Sequence, residues 1–137
     1  MNNILTYAIC ICFMILTGCE KDGITVTTGV VGIVKYGQGD CMPSPDPRTR
    51  VYSDYDGEIF FIVKEDLDNL GNGDLALLKN NSIHFRIKQG KLSAELPVGT
   101  YLVLPVDVYI YSDENTITIK PGEILNKDFT FFKCTTY

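Results

Sequence analysis

The chain has 137 residues, with 12 lysines and arginines against 17 aspartates and glutamates, a formal net charge of -5 and no basic cluster. Binding to a phosphate backbone needs concentrated positive charge, so this composition argues against nucleic acid and gives anionic lipid nothing to attract. The length suits one domain with a real core, since typical domains run to about 100–150 residues.

Residues 4–16 form a 13-residue apolar segment, and the first charged side chain is Glu20. Such a run is too short to cross a hydrocarbon core of about 30 Å as a helix, and it fits the apolar region of a secretion signal. It closes on Leu16-Thr17-Gly18-Cys19. This tetrad resembles the lipobox of bacterial lipoproteins, in which the cysteine becomes the fatty-acylated first residue of the mature protein. The resemblance implies a signal peptide over 1–18, palmitate-type acylation at Cys19, a tether over 19–27 and a domain over 28–137. It also implies a place in the cell envelope, with the outer membrane as the anchoring membrane. Glu20-Lys21-Asp22 is similar to the acidic export mark of some outer-face lipoproteins, and an ordinary solvated tether fits the same residues.

Processing would remove Cys10 and Cys12, leaving Cys41 and Cys134 as the only thiols beside the lipidated one. In an oxidising compartment two thiols allow a single intramolecular pairing. A bridge closing about 93 residues would contribute on the order of 4 kcal/mol by the loop-entropy model, provided the two positions are close in the fold.

The remaining residues read as short strands. A β-branched stretch predicts a first strand over 28–36, followed by a Gly- and Pro-rich loop over 37–50 that holds Cys41. Residues 57–64 are the most hydrophobic run and predict a central strand. An acidic stretch over 66–81 follows, in which Asp74 can cap a short helix near 74–80. Ile83, Phe85 and Ile87, then Leu92, Ala94 and Leu96, alternate with polar residues around Gln89-Gly90, the pattern of two strands with one wet face. Further strands are expected near 101–104, 106–111, 116–120 and 127–134. Strands at intervals of about 8–12 residues with turn signals between them read as an all-β sandwich.

Gly32-Ile33-Val34, Gly57-Glu58-Ile59, Leu96-Pro97-Val98-Gly99-Thr100-Tyr101 and Ile117-Thr118-Ile119 with Pro121-Gly122-Glu123 together resemble the carboxypeptidase regulatory-like domain. That family implies a transthyretin-like Greek-key sandwich of about seven strands and an accessory or structural role without catalysis. This chain differs from it in the Cys41 loop and in the acidic insertion. Neighbouring first and last strands, as in similar sandwiches, would bring Cys41 and Cys134 within bridging range.

Candidate chemistry is sparse. His84 is the one histidine, so any base-assisted nucleophile would centre on it. Its place on the polar side of a strand beside Arg86 and Lys88 predicts a solvated side chain. No Gly-x-Ser-x-Gly turn is present, and one histidine without a close cysteine pair gives zinc no ligand set. The Asp66–Asp74 stretch fails both EF-hand registers, leaving an irregular cation site at Asp66, Asp68, Asn72 and Asp74 or a plain polar loop. Asn80-Asn81-Ser82 matches a glycosylation acceptor, incidental in a bacterial lipoprotein. Tyr52, Tyr55, Tyr109 and Tyr111 form a possible ligand surface, as aromatic platforms for a glycan or as ring closures of the core. The expected function is a lipid-anchored, non-enzymatic interaction module without a cofactor, meeting an envelope protein or glycan. A small-molecule or glycan binder is the alternative, and it predicts a groove lined by tyrosines and carboxylates.

Overall fold

The computed structural model describes residues 26–41, 50–71, 73–109 and 112–135. The Leu16-Thr17-Gly18-Cys19 tetrad, most of the tether, and Tyr111 lie outside them. Among the described residues nine strands form two sheets. The first sheet is built around β1 (Gly29–Gly39), the longest strand at 11 residues. One side of β1 pairs antiparallel with β5 (Lys91–Glu95) and with the two-residue β2 (Ser53–Asp54). The other side pairs parallel with β8 (Ile124–Asn126) and then β9 (Phe129–Cys134), so the first and last strands are neighbours. The second sheet is antiparallel in the order β4 (Ile83–Ile87), β3 (Gly57–Val63), β6 (Gly99–Pro105), β7 (Thr116–Ile119).

The sheets bury one face each against the other, as an alternation of period two requires. Val30 and Val34 of β1, Leu92 and Ala94 of β5, and Phe129 and Phe131 of β9 meet Ile59, Phe61, Tyr101, Val103, Ile117 and Ile119 of the second sheet. The all-β sandwich read from the sequence is therefore the fold, with nine strands among the described residues in place of about seven.

The unbroken run Ile59-Phe60-Phe61-Ile62 is buried on both of its faces. Its outer face, Phe60 and Ile62 beside Leu102 and Leu104, is covered by the insertion. There α1 (Lys64–Asp68) and α2 (Leu75–Asn80) lay Leu67, Leu75 and Leu78 against the core. Asp74 caps α2 as expected, its carboxylate accepting from the Ala76 amide at 2.8 Å. The acidic stretch is thus shared between two short helices where one was expected.

Three further expectations are corrected. The first strand runs on to Gly39, because β9 supplies backbone partners as far as Cys134. The expected strand over 127–134 starts at Phe129, since Asp128 takes the Ile33 amide through its side chain at 2.7 Å and interrupts the backbone ladder. Residues 106–109 make a turn and coil, not the start of a strand, for a reason that lies in Lys79.

Candidate functional site

At the end of the sandwich where β1 and β6 finish and β3 begins, an open cleft of about 410 Å³ is lined by Tyr36, Gln38, Ser53, Asp54, Tyr55, Asp56 and Asp107, among others. Its polar groups are fixed by their neighbours. The Tyr36 hydroxyl donates to Asp107 Oδ2 at 2.6 Å, and Lys133 Nζ donates to the same oxygen at 3.1 Å. Lys35 pairs with Asp54 at 3.3 Å. Asp56 accepts the Gln89 amide at 2.9 Å, which steadies a turn in which Gln89 and Gly90 both adopt positive φ, 51° and 68°.

The electrostatics follow from these contacts. Burial pushes the Tyr36 phenol far above its ordinary range, and the hydrogen bond and negative charge of Asp107 push the same way. Burial also raises Tyr55. For Asp107 burial works upward, but the hydrogen bonds from Tyr36 and Lys133 outweigh it and hold the carboxyl below its usual value. Asp107 therefore stays ionised as the ridge between this cleft and a second hollow of about 200 Å³. That hollow is walled by Val108, Tyr109, Phe132, Lys133 and Cys134.

The ridge is held from beneath by Lys79. This lysine sits in the last turn of α2, where a side chain usually reaches solvent, yet it is 2% exposed. Its ammonium donates to the carbonyls of Pro105, of Val106 at 2.8 Å and of Val108 at 3.1 Å, and lies 4.4 Å from the centre of the Tyr109 ring. One cation thus gathers three carbonyls that a strand would spend on a neighbour, and the chain turns at 106–108 instead. Desolvation pulls Lys79 down to about 8, against the pull of the Asp107 charge. The sequence gives no sign of this lysine.

The tyrosines chosen from sequence part company. Tyr55 is buried, its ring 5.4 Å from that of Tyr36 and its hydroxyl donating to the Glu58 carbonyl at 3.0 Å. It is a wall of the cleft and part of the core, not an exposed platform. Tyr52 is half-buried on the outer face of the first sheet, edge-on to Phe132 at 5.8 Å. The two rings close over Gly37, whose β carbon would lie 3.1 Å and 3.0 Å from them. Tyr109 is 55% exposed and borders the second hollow. The missed residues Tyr36, Asp54, Asp56 and Asp107 come from three separate parts of the chain and carry no motif.

Cys41 and Cys134 form a disulfide, their Cα atoms 5.4 Å apart, and they follow directly from the pairing of Gly39 with Cys134. His84 is exposed on β4, beside the Phe60 ring at 5.4 Å. Tyr101 buries its ring, and its hydroxyl donates to the Pro97 carbonyl at 2.9 Å. Among the described residues no three His, Cys, Asp or Glu side chains gather to hold a metal ion, and no helix is long and apolar enough to cross a membrane. Comparison of the chain with protein-family models, with curated proteins and with solved structures found no match.

Proposed function

We propose that this chain is a lipid-anchored, non-enzymatic binding module of the bacterial cell envelope, fastened through Cys19 and presenting the Asp107 cleft outward. The observation that carries the reading is the position of the cleft relative to the start of the domain. The described chain begins beside Gly29 at one end of β1, and Tyr36 and Gln38 line the cleft at the other. A strand rises about 3.3 Å per residue, so a domain tethered before Gly29 holds the cleft roughly 25–30 Å beyond its attached end. The lipobox-like tetrad and a disulfide of the kind favoured by oxidising compartments support the same location.

The tyrosine and carboxylate lining favours a hydroxyl-rich small molecule or glycan over a second protein surface. The cleft falls within the size range of small-ligand sites, and its oxygens accept hydrogen bonds. Labelling of cells with an alkynyl fatty acid tests the anchor: Cys19→Ala should lose both label and membrane partition. A glycan array probed with the purified protein and with Asp107→Asn tests the cleft. Binding that survives the substitution unchanged would remove the cleft from the proposal.

A further inference from the structure

We infer that the end of the domain opposite the cleft is a seat for the bilayer surface, and that a hollow there takes the headgroup of a phosphatidylethanolamine-type lipid. This rests on the acylation of Cys19 proposed above. The hollow, about 590 Å³, lies where β3 ends and β6 begins, lined by Val63, Lys64, Glu65, Asp68, Val98 and Thr100 among others. The chain enters the domain at the same end, since Gly29 pairs with Glu95, three residues before Val98, and with Ile124. Val26 lies seven positions after Cys19, a reach of roughly 25 Å at full extension. An acylated Cys19 would therefore hold this end, and not the Asp107 end, against the membrane.

The chemistry of the hollow selects the lipid. Val98, Ile124 and Val63 are 57%, 44% and 38% exposed at this end, a set of apolar tips suited to the boundary between headgroups and acyl chains. Between them the hollow offers both signs of charge, as a zwitterionic headgroup does: the Lys64 ammonium for a phosphate, the Glu65 and Asp68 carboxylates for an ammonium. Lys64 is bonded to Asp68 within the fold as an i,i+4 pair of α1, and pairs of that kind contribute little, so a headgroup that supplies both a phosphate and an ammonium would replace it charge for charge. Carboxylates outnumber lysines here, with Glu95 and Glu123 nearby and Lys120 the other cation, so an anionic lipid surface is repelled. A primary ammonium donates three hydrogen bonds to carboxylates, whereas a methylated choline donates none.

The test uses the full acylated protein in nanodiscs of phosphatidylcholine alone, or of phosphatidylcholine mixed equally with phosphatidylethanolamine or with phosphatidylglycerol, read by amide hydrogen exchange. Residues 63–69 and 97–100 should exchange roughly fivefold or more slowly in the phosphatidylethanolamine discs than in the other two, with no difference at 53–57 in the cleft. A Glu65→Gln, Asp68→Asn double variant should lose that slowing and still enter the discs. Equal exchange in all three discs, with acylated protein present in each, overturns the headgroup site alone. A protein whose mass shows no acyl chains overturns the anchor, and this inference with it.

Discussion

The phenol of Tyr36 donates a 2.6 Å hydrogen bond to the carboxylate of Asp107, 71 residues further along the chain. The bond ties the end of β1 in one sheet to the turn after β6 in the other, and both of its side chains line the cleft. Lys133 of β9 reaches the same oxygen, so three separate parts of the chain converge on one side chain.

Tyr36→Phe should therefore cost about 1.5–3 kcal/mol, the usual contribution of a hydrogen bond to a charged group, as read from urea unfolding. Asp107 adds a pH signature. Its carboxyl lies lower in the folded than in the unfolded state, so its contribution is complete above the unfolded value of roughly 3.9. It is lost as pH falls through the folded value. Asp107→Asn should flatten the acid limb of a stability profile below about pH 4. An unchanged limb would place the ionised group elsewhere.

Lys79→Met keeps most of the aliphatic stem and removes the ammonium from three carbonyls. A loss of about 1–3 kcal/mol is expected from stranding buried acceptors, with faster amide exchange at 106–109. Alkaline pH reads the same residue in the opposite direction. Between about 8 and the unfolded value of roughly 10.4 the unfolded chain holds a proton that the folded protein has released, so stability rises with pH. Tyr36, Tyr55 and Tyr101, whose phenols are all raised by burial, retain protons in the fold above about pH 10 and lower stability there. Melting temperature should pass through a shallow maximum between these limits, and Lys79→Met should leave only the fall.

Reduction of Cys41–Cys134 releases a loop with a sequence separation of 93. Chain entropy sets the loss at about 4–5 kcal/mol, so a clear drop in melting temperature with dithiothreitol is expected. Cys41→Ser should reproduce that drop and become insensitive to the reductant.

A β carbon at Gly32 would lie 2.0 Å from the Lys127 carbonyl oxygen, a backbone atom that cannot swing aside. Gly32→Ala should force β1 away from the link between β8 and β9 and cost about 1–3 kcal/mol, the ordinary penalty for overpacking. Chemical denaturation measures it directly.

Much of this fold was legible residue by residue. Ile83, Phe85 and Ile87 and then Leu92 and Ala94 announce two strands through strict alternation, and Gln89-Gly90 marks the turn between them. Asp74 announces a helix start, and thiol parity suggests one bridge. Residues 106–111 read as a strand because side-chain propensity is local, whereas the competitor for their carbonyls is an ammonium about 30 residues away. Lys79 looks like any solvated helical lysine until α2 is packed on Phe60. The cleft escaped notice for the same reason: Tyr36, Asp56 and Asp107 become neighbours only through sheet topology. For Tyr55 the sequence left a glycan platform and a ring closing the core both open, and its buried ring is the second.

The parallel union of β1 with β9, locked by sulfur where both strands end, also decides how the domain would carry a mechanical load. Tension drawn between Gly29 and Thr135 would travel up an already extended β1, cross the covalent link and leave, bypassing everything enclosed between the two cysteines. With no slack along that route, the oxidised domain would act as an inextensible strut, and only reduction would let it pay out chain under force.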